Sequence, residues 1–336
     1  MNKRIIALGS SICMTAALLV ATQTATAPHA DAASGSPYSY SYYVKTYDTN
    51  WAYSVGQTVG TFARDTAGTQ YFTSILDFGV MYLNGSTWMM YGFGTQRLTL
   101  AQAGEMVYQF GRGFYNGSGA DDTSLIYIGL GTSSYGSGTV TAAAGAALAG
   151  QAASTDQRFT AFQYRQLFAV GANDFEGGTG WASSAADRKW FDGYMGRSGR
   201  PILFNYGGAS NCPQTGVPSA TSCRSATQQL SADDIWYLSW SGAAYPVPEV
   251  YTTDSAMAKQ WKWLSIYSHD IKKAGYFTFQ GLMTQWQACN QTGKCVSAER
   301  NTPATAYGQL ALQLNSAPVA GGAWYISKQP TDIRYQ

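Results

Sequence analysis

The stretch Leu167-Phe168-Ala169-Val170-Gly171-Ala172-Asn173-Asp174-Phe175-Glu176-Gly177-Gly178 decides the fold. Its first half is apolar, as in a parallel strand that is covered on both faces. Acids and glycines follow the strand, and a helix-like stretch occupies residues 183–195. A strand, a turn and a helix in this order form a β/α unit, whose right-handed crossover brings the next strand parallel to the first.

The same order recurs on both sides of this stretch. We predict strands at 71–78, 124–130, 167–175, 201–206, 235–240, 276–282 and 323–327. We predict helices at 99–110, 140–153, 183–195, 225–230, 254–268 and 302–314. This alternation indicates the α/β class. Six or seven units in about 270 residues fit a TIM-type (β/α) barrel, irregular or incomplete. A doubly wound sheet would carry a glycine-rich ligand motif after its first strand, and none occurs here.

The N-terminus predicts export. Lys3 and Arg4 precede the apolar run 5–20, and Ala30-Asp31-Ala32 matches a cleavage site, so residues 1–32 are predicted to be a signal peptide. The alternative, an uncleaved membrane anchor, requires a longer apolar run. We therefore expect a secreted, extracellular protein with no stable membrane insertion after cleavage.

The domain boundaries follow from composition. Residues 33–65 are rich in Ser and Tyr, and we expect an N-terminal extension there, with the barrel domain at 66–336. The run 38–43 within it is expected to be a disordered segment or an adhesive arm.

Composition restricts the chemistry. Aromatic residues (14%) outnumber charged ones (12%), and the net charge is +2. Lys and Arg are scattered, so a nucleic-acid partner is not expected. Of two histidines, His29 leaves with the signal peptide, and His269 is expected to be a cation in the last turn of a helix. Because no other histidine is left for catalysis, we expect carboxylates or tyrosines as acids and bases, with no metal and no organic cofactor.

Four cysteines remain after the predicted cleavage, since Cys13 lies in the signal peptide. An even number in an exported chain indicates disulfides. Local pairing is the simplest of three connectivities, and it joins Cys212 to Cys223 and Cys289 to Cys295. A zinc site is the alternative, but the chain has no C-x-x-C and no histidine nearby.

Carboxylates at strand ends are the candidate catalytic groups. Residues two apart on a strand point to one side, so Asp174 and Glu176 are predicted to project together from the carboxyl end. Barrel active sites are assembled at that end. Two neighbouring carboxylates raise the pKa of one, as a general acid requires. Asp77 ends another apolar strand. In the alternative interpretation, Asp174 caps a turn and Glu176 is solvated.

Aromatic residues near other predicted strand ends are candidate substrate-binding groups. Sugar rings stack their C–H faces on aromatic planes, while their hydroxyls need polar partners. On this basis Trp181, Tyr206, Trp240 and Tyr245 suit a glycan cleft, with Glu249 as a polar partner. Packing in the core is the alternative.

Six segments taken together carry a family resemblance: 75–79 (Ile-Leu-Asp-Phe-Gly), 171–176, 202–207, 235–240, 248–251 and 279–281. Over residues 65–320 the chain resembles secreted bacterial proteins with a glycoside-hydrolase-like TIM barrel, most of them uncharacterised. More loosely, the acid that ends the first predicted strand and the later D-x-E are similar to lysozymes of glycoside hydrolase family 25 and to chitinase-like barrels.

This resemblance implies roles for three residues. Glu176 is the expected proton donor, Asp174 positions the acetamido group that acts as internal nucleophile, and Asp77 lies on the cleft floor. The chain departs from the chitinase-like D-x-x-D-x-D-x-E at Ala172 and Asn173. The expected function is an exported glycosidase that acts on peptidoglycan or another N-acetylhexosamine-containing polysaccharide. The alternative is a non-catalytic glycan-binding module or pseudoenzyme of the same fold.

Overall fold

The computed structural model describes residues 38–121, 123–136, 138–316 and 325–336. The predicted signal peptide, residues 1–32, lies outside the described residues. None of the helices in the described ranges combines the length and the apolar character needed to cross a membrane.

Strands and helices alternate through most of the described chain. The strands are β1 (Ser39–Tyr43), β2 (Tyr71–Asn84), β3 (Thr87–Tyr91), β4 (Leu98–Thr99), β5 (Leu125–Ser133), β6 (Leu167–Asp174), β7 (Leu203–Asn205), β8 (Ala244–Pro246), β9 (Thr278–Phe279), β10 (Met283–Thr284), β11 (Tyr325–Ile326) and β12 (Thr331–Tyr335). The helices are α1 (Thr49–Asp65), α2 (Leu100–Gly117), α3 (Ala142–Ala161), α4 (Ser184–Gly196), α5 (Ala232–Trp240), α6 (Ala256–Asp270), α7 (Trp286–Thr292) and α8 (Pro303–Asn315).

The central sheet is parallel and curled. Its strand order is β10-β12-β1-β2-β5-β6-β7-β8, and β3 and β4 extend β2 as an antiparallel flap. A parallel bridge between Glu249, just after β8, and Met283 of β10 joins the two ends of this order. The predicted α/β class is therefore confirmed, with a curled parallel sheet that is consistent with a partial TIM-like fold.

The segment 39–65 belongs to this fold, so the prediction of a separate N-terminal extension is wrong there. β1 lies between β12 and β2, and α1 follows it. Composition misled because the serines of β1 are buried. The Ser41 hydroxyl accepts the backbone N–H of Ile75 at 2.8 Å and contacts the Thr331 hydroxyl, so a polar residue is accommodated inside the sheet.

Two further predictions of secondary structure are corrected. Residues 235–240 belong to helix α5 instead of a strand, because Ser231 and Asp234 form a capping box that starts a helix. Residues 225–230 form no helix. Strand β12 was not predicted, because a charged residue, Asp332, lies in its buried part. The Thr284 hydroxyl donates a hydrogen bond to this carboxylate at 2.7 Å.

Apolar side chains form two cores. One fills the inside of the curled sheet and includes Ile75, Val170, Ala172, Phe204, Val247, Met283 and Ile333. The other lies between the sheet and the helices and buries large rings such as Phe72, Phe110, Trp190 and Trp261. The helices therefore cover the outer face of the sheet, as an α/β architecture requires.

The predicted disulfide pairing is confirmed. Cys212 and Cys223 are bonded with Cα atoms 4.1 Å apart, and Cys289 and Cys295 with Cα atoms 5.2 Å apart. Both bridges close short loops, of sequence separation 11 and 6. The first bridge restrains the segment between β7 and α5, and the second restrains the end of α7, so neither links two strands of the sheet.

If β1 is a structural strand, truncating its core ring must destabilise the protein. Tyr42 is 5% exposed and packs edge-on against Trp51, with ring centroids 5.0 Å apart. We expect Tyr42→Ala to lower the free energy of unfolding by about 3 kcal/mol. Tyr47→Ala, at a 36% exposed position, is the control and should change it little. Urea unfolding followed by tryptophan fluorescence measures both, and equal midpoints would contradict the assignment.

Candidate active site

The inward alternation of the strands brings carboxylates together at one end of the sheet. Ile75, Ala172 and Val247 lie in the inner core. Two residues further along each chain segment stand Asp77, Asp174 and Glu249. Since every second residue of a strand faces the same side, these acids continue the inner apolar rows at the carboxyl ends.

Three of the carboxylates meet. One oxygen each from Asp174, Glu176 and Glu249 lies within 4.8 Å of the other two. We call Asp77, Asp174, Glu176 and Glu249 the acidic cluster, because Asp77 shares a cavity with Asp174 and acts on its charge. The structure thus brings together all three predicted catalytic residues and adds Glu249, which had been predicted only as a substrate-binding residue.

Glu249 and Glu176 form a pair that shares a hydrogen bond. Burial raises the pKa of Glu249 well above its ordinary value, and the charges of Glu176 and Asp174 add to this effect. Burial also raises the pKa of Glu176, against the hydrogen bonds from Glu249 and the Gly208 backbone. Glu249 is 7% exposed, whereas Glu176 is partly exposed. Of this pair, Glu249 is therefore the carboxyl that holds a proton more tightly.

The two aspartates differ in their partners. Burial, followed by the charge of Glu176, raises the pKa of Asp174 well above its ordinary value, and its buried Oδ1 has no hydrogen-bond partner among the described residues. Burial raises the pKa of Asp77 only to about 6, because the Gly79 backbone N–H donates to Oδ1 at 2.8 Å and Tyr206 lies nearby. At neutral pH, Asp77 is therefore the ionised member of the cluster on the cavity side.

Gly208 makes room for the glutamate pair. A Cβ atom at this position would lie 3.0 Å from Glu176 Oε1 and 3.0 Å from Glu249 Oε2. At that distance each carboxylate would have to shift by a few tenths of an ångström. Glycine therefore fits at position 208 because a larger residue would crowd the two carboxylates.

An aromatic cavity of about 510 Å³ opens beside the cluster. Asp77 and Asp174 contribute carboxylates to its lining, and the ring-bearing residues are Tyr43, Tyr91, Phe93, Tyr135, Trp181 and Tyr335. The rings of Tyr135 and Trp181 meet edge-on with their centroids 5.3 Å apart. The ring centroids of Tyr43 and Phe93 are 4.4 Å apart. A pocket of this size with apolar walls and a few polar groups is typical of small-molecule and cofactor sites.

The structure separates the predicted substrate-binding residues. Trp181 lines the cavity, as expected for a wall residue. Tyr206 is 2% exposed, and its hydroxyl donates a hydrogen bond to the Thr132 carbonyl at 2.7 Å. It is therefore a buried packing residue and not part of the cavity wall. Trp240 ends helix α5 and packs edge-on against Tyr245. Tyr245 lines a different cavity with residues from the amino ends of β5 and β6, so neither ring belongs to the cluster.

Sequence reasoning missed most of the aromatic wall. Tyr91 ends β3 and Phe93 follows it, Tyr43 ends β1, and Tyr335 ends β12. Each depends on an element that was not predicted. The end of an apolar strand was the one available signal, and it applied to Tyr135 just after β5.

The cluster is also the place where a metal ion could bind. Asp174, Glu176 and Glu249 offer oxygen ligands, which Ca²⁺ and Mg²⁺ prefer. Deprotonation of the buried glutamates would be needed first, since metal ligands are ionised. The expectation of a metal-free protein stays a prediction.

His269 lies away from this chemistry. It is at the end of α6, and its Nδ1 is 2.6 Å from Asp270 Oδ1. This position in the last helical turn is the one that the sequence predicted.

Searches for similar proteins found no family whose pattern matches this chain and no curated protein with significant similarity. The site is therefore interpreted from its own geometry.

The buried glutamate pair should make stability depend on pH. A carboxyl whose pKa is raised on folding binds its proton more tightly in the native state, so stability falls as pH rises above about 4.3, the pKa of free Glu. We expect the wild type to unfold more easily at pH 8 than at pH 5. Glu249→Gln should reduce this difference by about 1.4 kcal/mol for each pKa unit it removes.

Urea unfolding at the two pH values measures this difference. The matched control is Glu299→Gln, which changes an exposed glutamate and should keep the whole pH dependence. A Glu249→Gln protein with the pH dependence of the wild type would show that Glu249 titrates normally.

Proposed function

We propose that this chain is a secreted glycoside hydrolase with a TIM-type barrel, which cleaves cell-wall or other amino-sugar polysaccharides. The observation that carries this proposal is the convergence of Asp77, Asp174, Glu176 and Glu249 beside an aromatic cavity. This set of residues matches the chemistry of glycosidic bonds, which needs a proton donor, an ionised carboxylate and a surface for sugar rings.

The Glu176–Glu249 pair supplies the proton. The two carboxyls hold one proton in their mutual hydrogen bond, and Glu176 is the more exposed partner. In the proposed mechanism Glu176 delivers this proton to the leaving oxygen of the sugar as the glycosidic bond breaks. A water molecule then adds to the freed sugar carbon and returns a proton to the pair. Glu249 holds the proton beforehand and keeps the pKa of the pair within the range that an acid needs near neutral pH.

The aspartates act on the sugar itself. Asp77, which is ionised at neutral pH, stabilises positive charge that develops on the sugar ring as the bond breaks. The unpaired Oδ1 of Asp174 accepts an N–H from the 2-amino substituent of the sugar. Rings of Trp181 and Tyr135 offer flat faces for neighbouring sugars.

A glycan-binding protein without turnover is the second candidate. The deep burial of Glu249 favours it, because a carboxyl 7% exposed exchanges protons with a substrate only through Glu176. The two disulfides suit an extracellular location under either candidate.

Replacing Glu176 tests the enzyme directly. Purified mature protein is incubated with peptidoglycan, chitin and glucosamine polymers, and released reducing ends are counted. We expect Glu176→Gln to lower the rate by roughly 10²- to 10⁴-fold while glycan binding persists, because the amide keeps the shape and loses the proton. Glu249→Gln should slow the reaction as well.

Two controls sharpen this experiment. Glu299→Gln should keep the wild-type rate, and a chelator should leave it unchanged if no metal takes part. A Glu176→Gln protein as fast as the wild type would remove Glu176 from the mechanism. Binding by the wild type without any product would favour the glycan-binding candidate.

A further inference from the structure

We infer that the cleft selects a cationic sugar, a hexosamine residue with a free ammonium group at C2, over N-acetylated and acidic sugars. This inference rests on the proposed function, because it assumes that the aromatic cavity binds glycans. It narrows the substrate class to polysaccharides that contain de-N-acetylated amino sugars.

Among the described residues, the acidic cluster has no counter-ion. In the described chain, the ion pairs involve the acids Asp65, Glu105, Asp233, Asp234 and Asp270. None of them includes Asp77, Asp174, Glu176 or Glu249. The residues that line the cavity contain no Lys, Arg or His. Buried carboxyls are ordinarily paired or protonated, and the ionised Asp77 has no cation beside it among the described side chains.

Nearby basic residues do not fill this role. Lys45 Nζ lies over the Tyr335 ring at 4.6 Å, and the Arg97 guanidinium lies 5.6 Å from the Tyr91 ring. Both cations contact aromatic side chains of the cavity wall and pair with no acid of the cluster. They show that rings of this wall accept cations on their faces.

A specific acceptor is unused. Asp174 lines the cavity, and its buried Oδ1 has no hydrogen-bond partner in the part of the chain that is described. Leaving a buried acceptor unsatisfied is costly. An ammonium group has three donors and one positive charge, so it satisfies Asp174 and leaves donors for Asp77. An acetamido group has one N–H and no charge.

Sugar charge therefore decides the fit. An acidic sugar would bring a further negative charge to four carboxyls that have no cation, and the low dielectric of the cleft would strengthen that repulsion. A free ammonium attracts the ionised Asp77, and its ring stacks on Trp181 and Tyr135 as any hexose would. The aromatic wall binds sugars in general, whereas the cluster distinguishes the cationic ones.

Binding of two matched oligosaccharides tests the inference on the unaltered protein. Calorimetry at about pH 7, where Asp77 is mostly ionised and amines of ordinary pKa are mostly protonated, compares glucosamine and N-acetylglucosamine oligomers of equal length, at low and high salt. We expect the glucosamine oligomer to bind at least about tenfold more tightly at low salt, and the preference to shrink at high salt because ion pairing is screened.

Variants locate the preference. Asp174→Asn and Asp77→Asn should each reduce it severalfold, while Asp65→Asn, which changes an exposed acid on helix α1, should not. Equal or tighter binding of the N-acetylated oligomer to the wild type would overturn the inference, and so would failure of both oligomers to bind. Tight binding of Ca²⁺ or Mg²⁺ alone, lost in Asp174→Asn and without any glucosamine preference, would assign the cluster to a metal ion.

Failure of this inference differs from failure of the enzyme proposal. Cleavage of chitin or peptidoglycan without glucosamine preference would keep the glycosidase and reject the cationic substrate. Selective binding of glucosamine oligomers with no product would keep the inference and reject hydrolysis.

Discussion

The alternation of side chains along a curled parallel sheet is the constraint on which the site depends. Each strand directs every second residue inward, so the same rows that form the inner core also point at its carboxyl end. Val247 packs in that core, and Glu249 follows it by two residues. The parallel bridge from Glu249 to Met283 also joins the ends of the sheet, so one residue takes part in both the fold and the chemistry.

Placing acids on these rows has an energetic cost. Asp174, Glu176 and Glu249 are removed from water and repel one another, so each holds its proton more tightly than it would in solution. The apolar rows beneath them and the helices around the sheet must offset this cost. A cluster that destabilises the fold and has no salt-bridge partner is typical of a functional site instead of a structural one.

The sequence allowed the α/β class, the disulfides and three members of the cluster to be predicted, because each depends on local pattern. Asp174 and Glu176 follow a long apolar strand, so their common direction could be derived from period two alone. Glu249 directly follows Pro248, just beyond a three-residue strand, and its neighbours in space come from β6 and β10. Strand β1 was not predicted because Ser41 is a polar residue that is nevertheless buried in the sheet.

The aromatic surplus divides into two uses that composition cannot tell apart. Trp240 and Tyr245 pack against each other away from the acidic cluster. Trp240 lies there because residues 235–240 form a helix and not a strand. Trp181 and Tyr135 stand at the carboxyl end, where loops leave rings open to a cavity. A ring can line the cavity only if it follows the carboxyl end of a strand. Predicting its use from the sequence therefore requires the strands to be assigned correctly. Because the described part of the chain has one histidine, the proposed acid–base groups are carboxyls, and burial raises their pKa values beside a wall of aromatic rings.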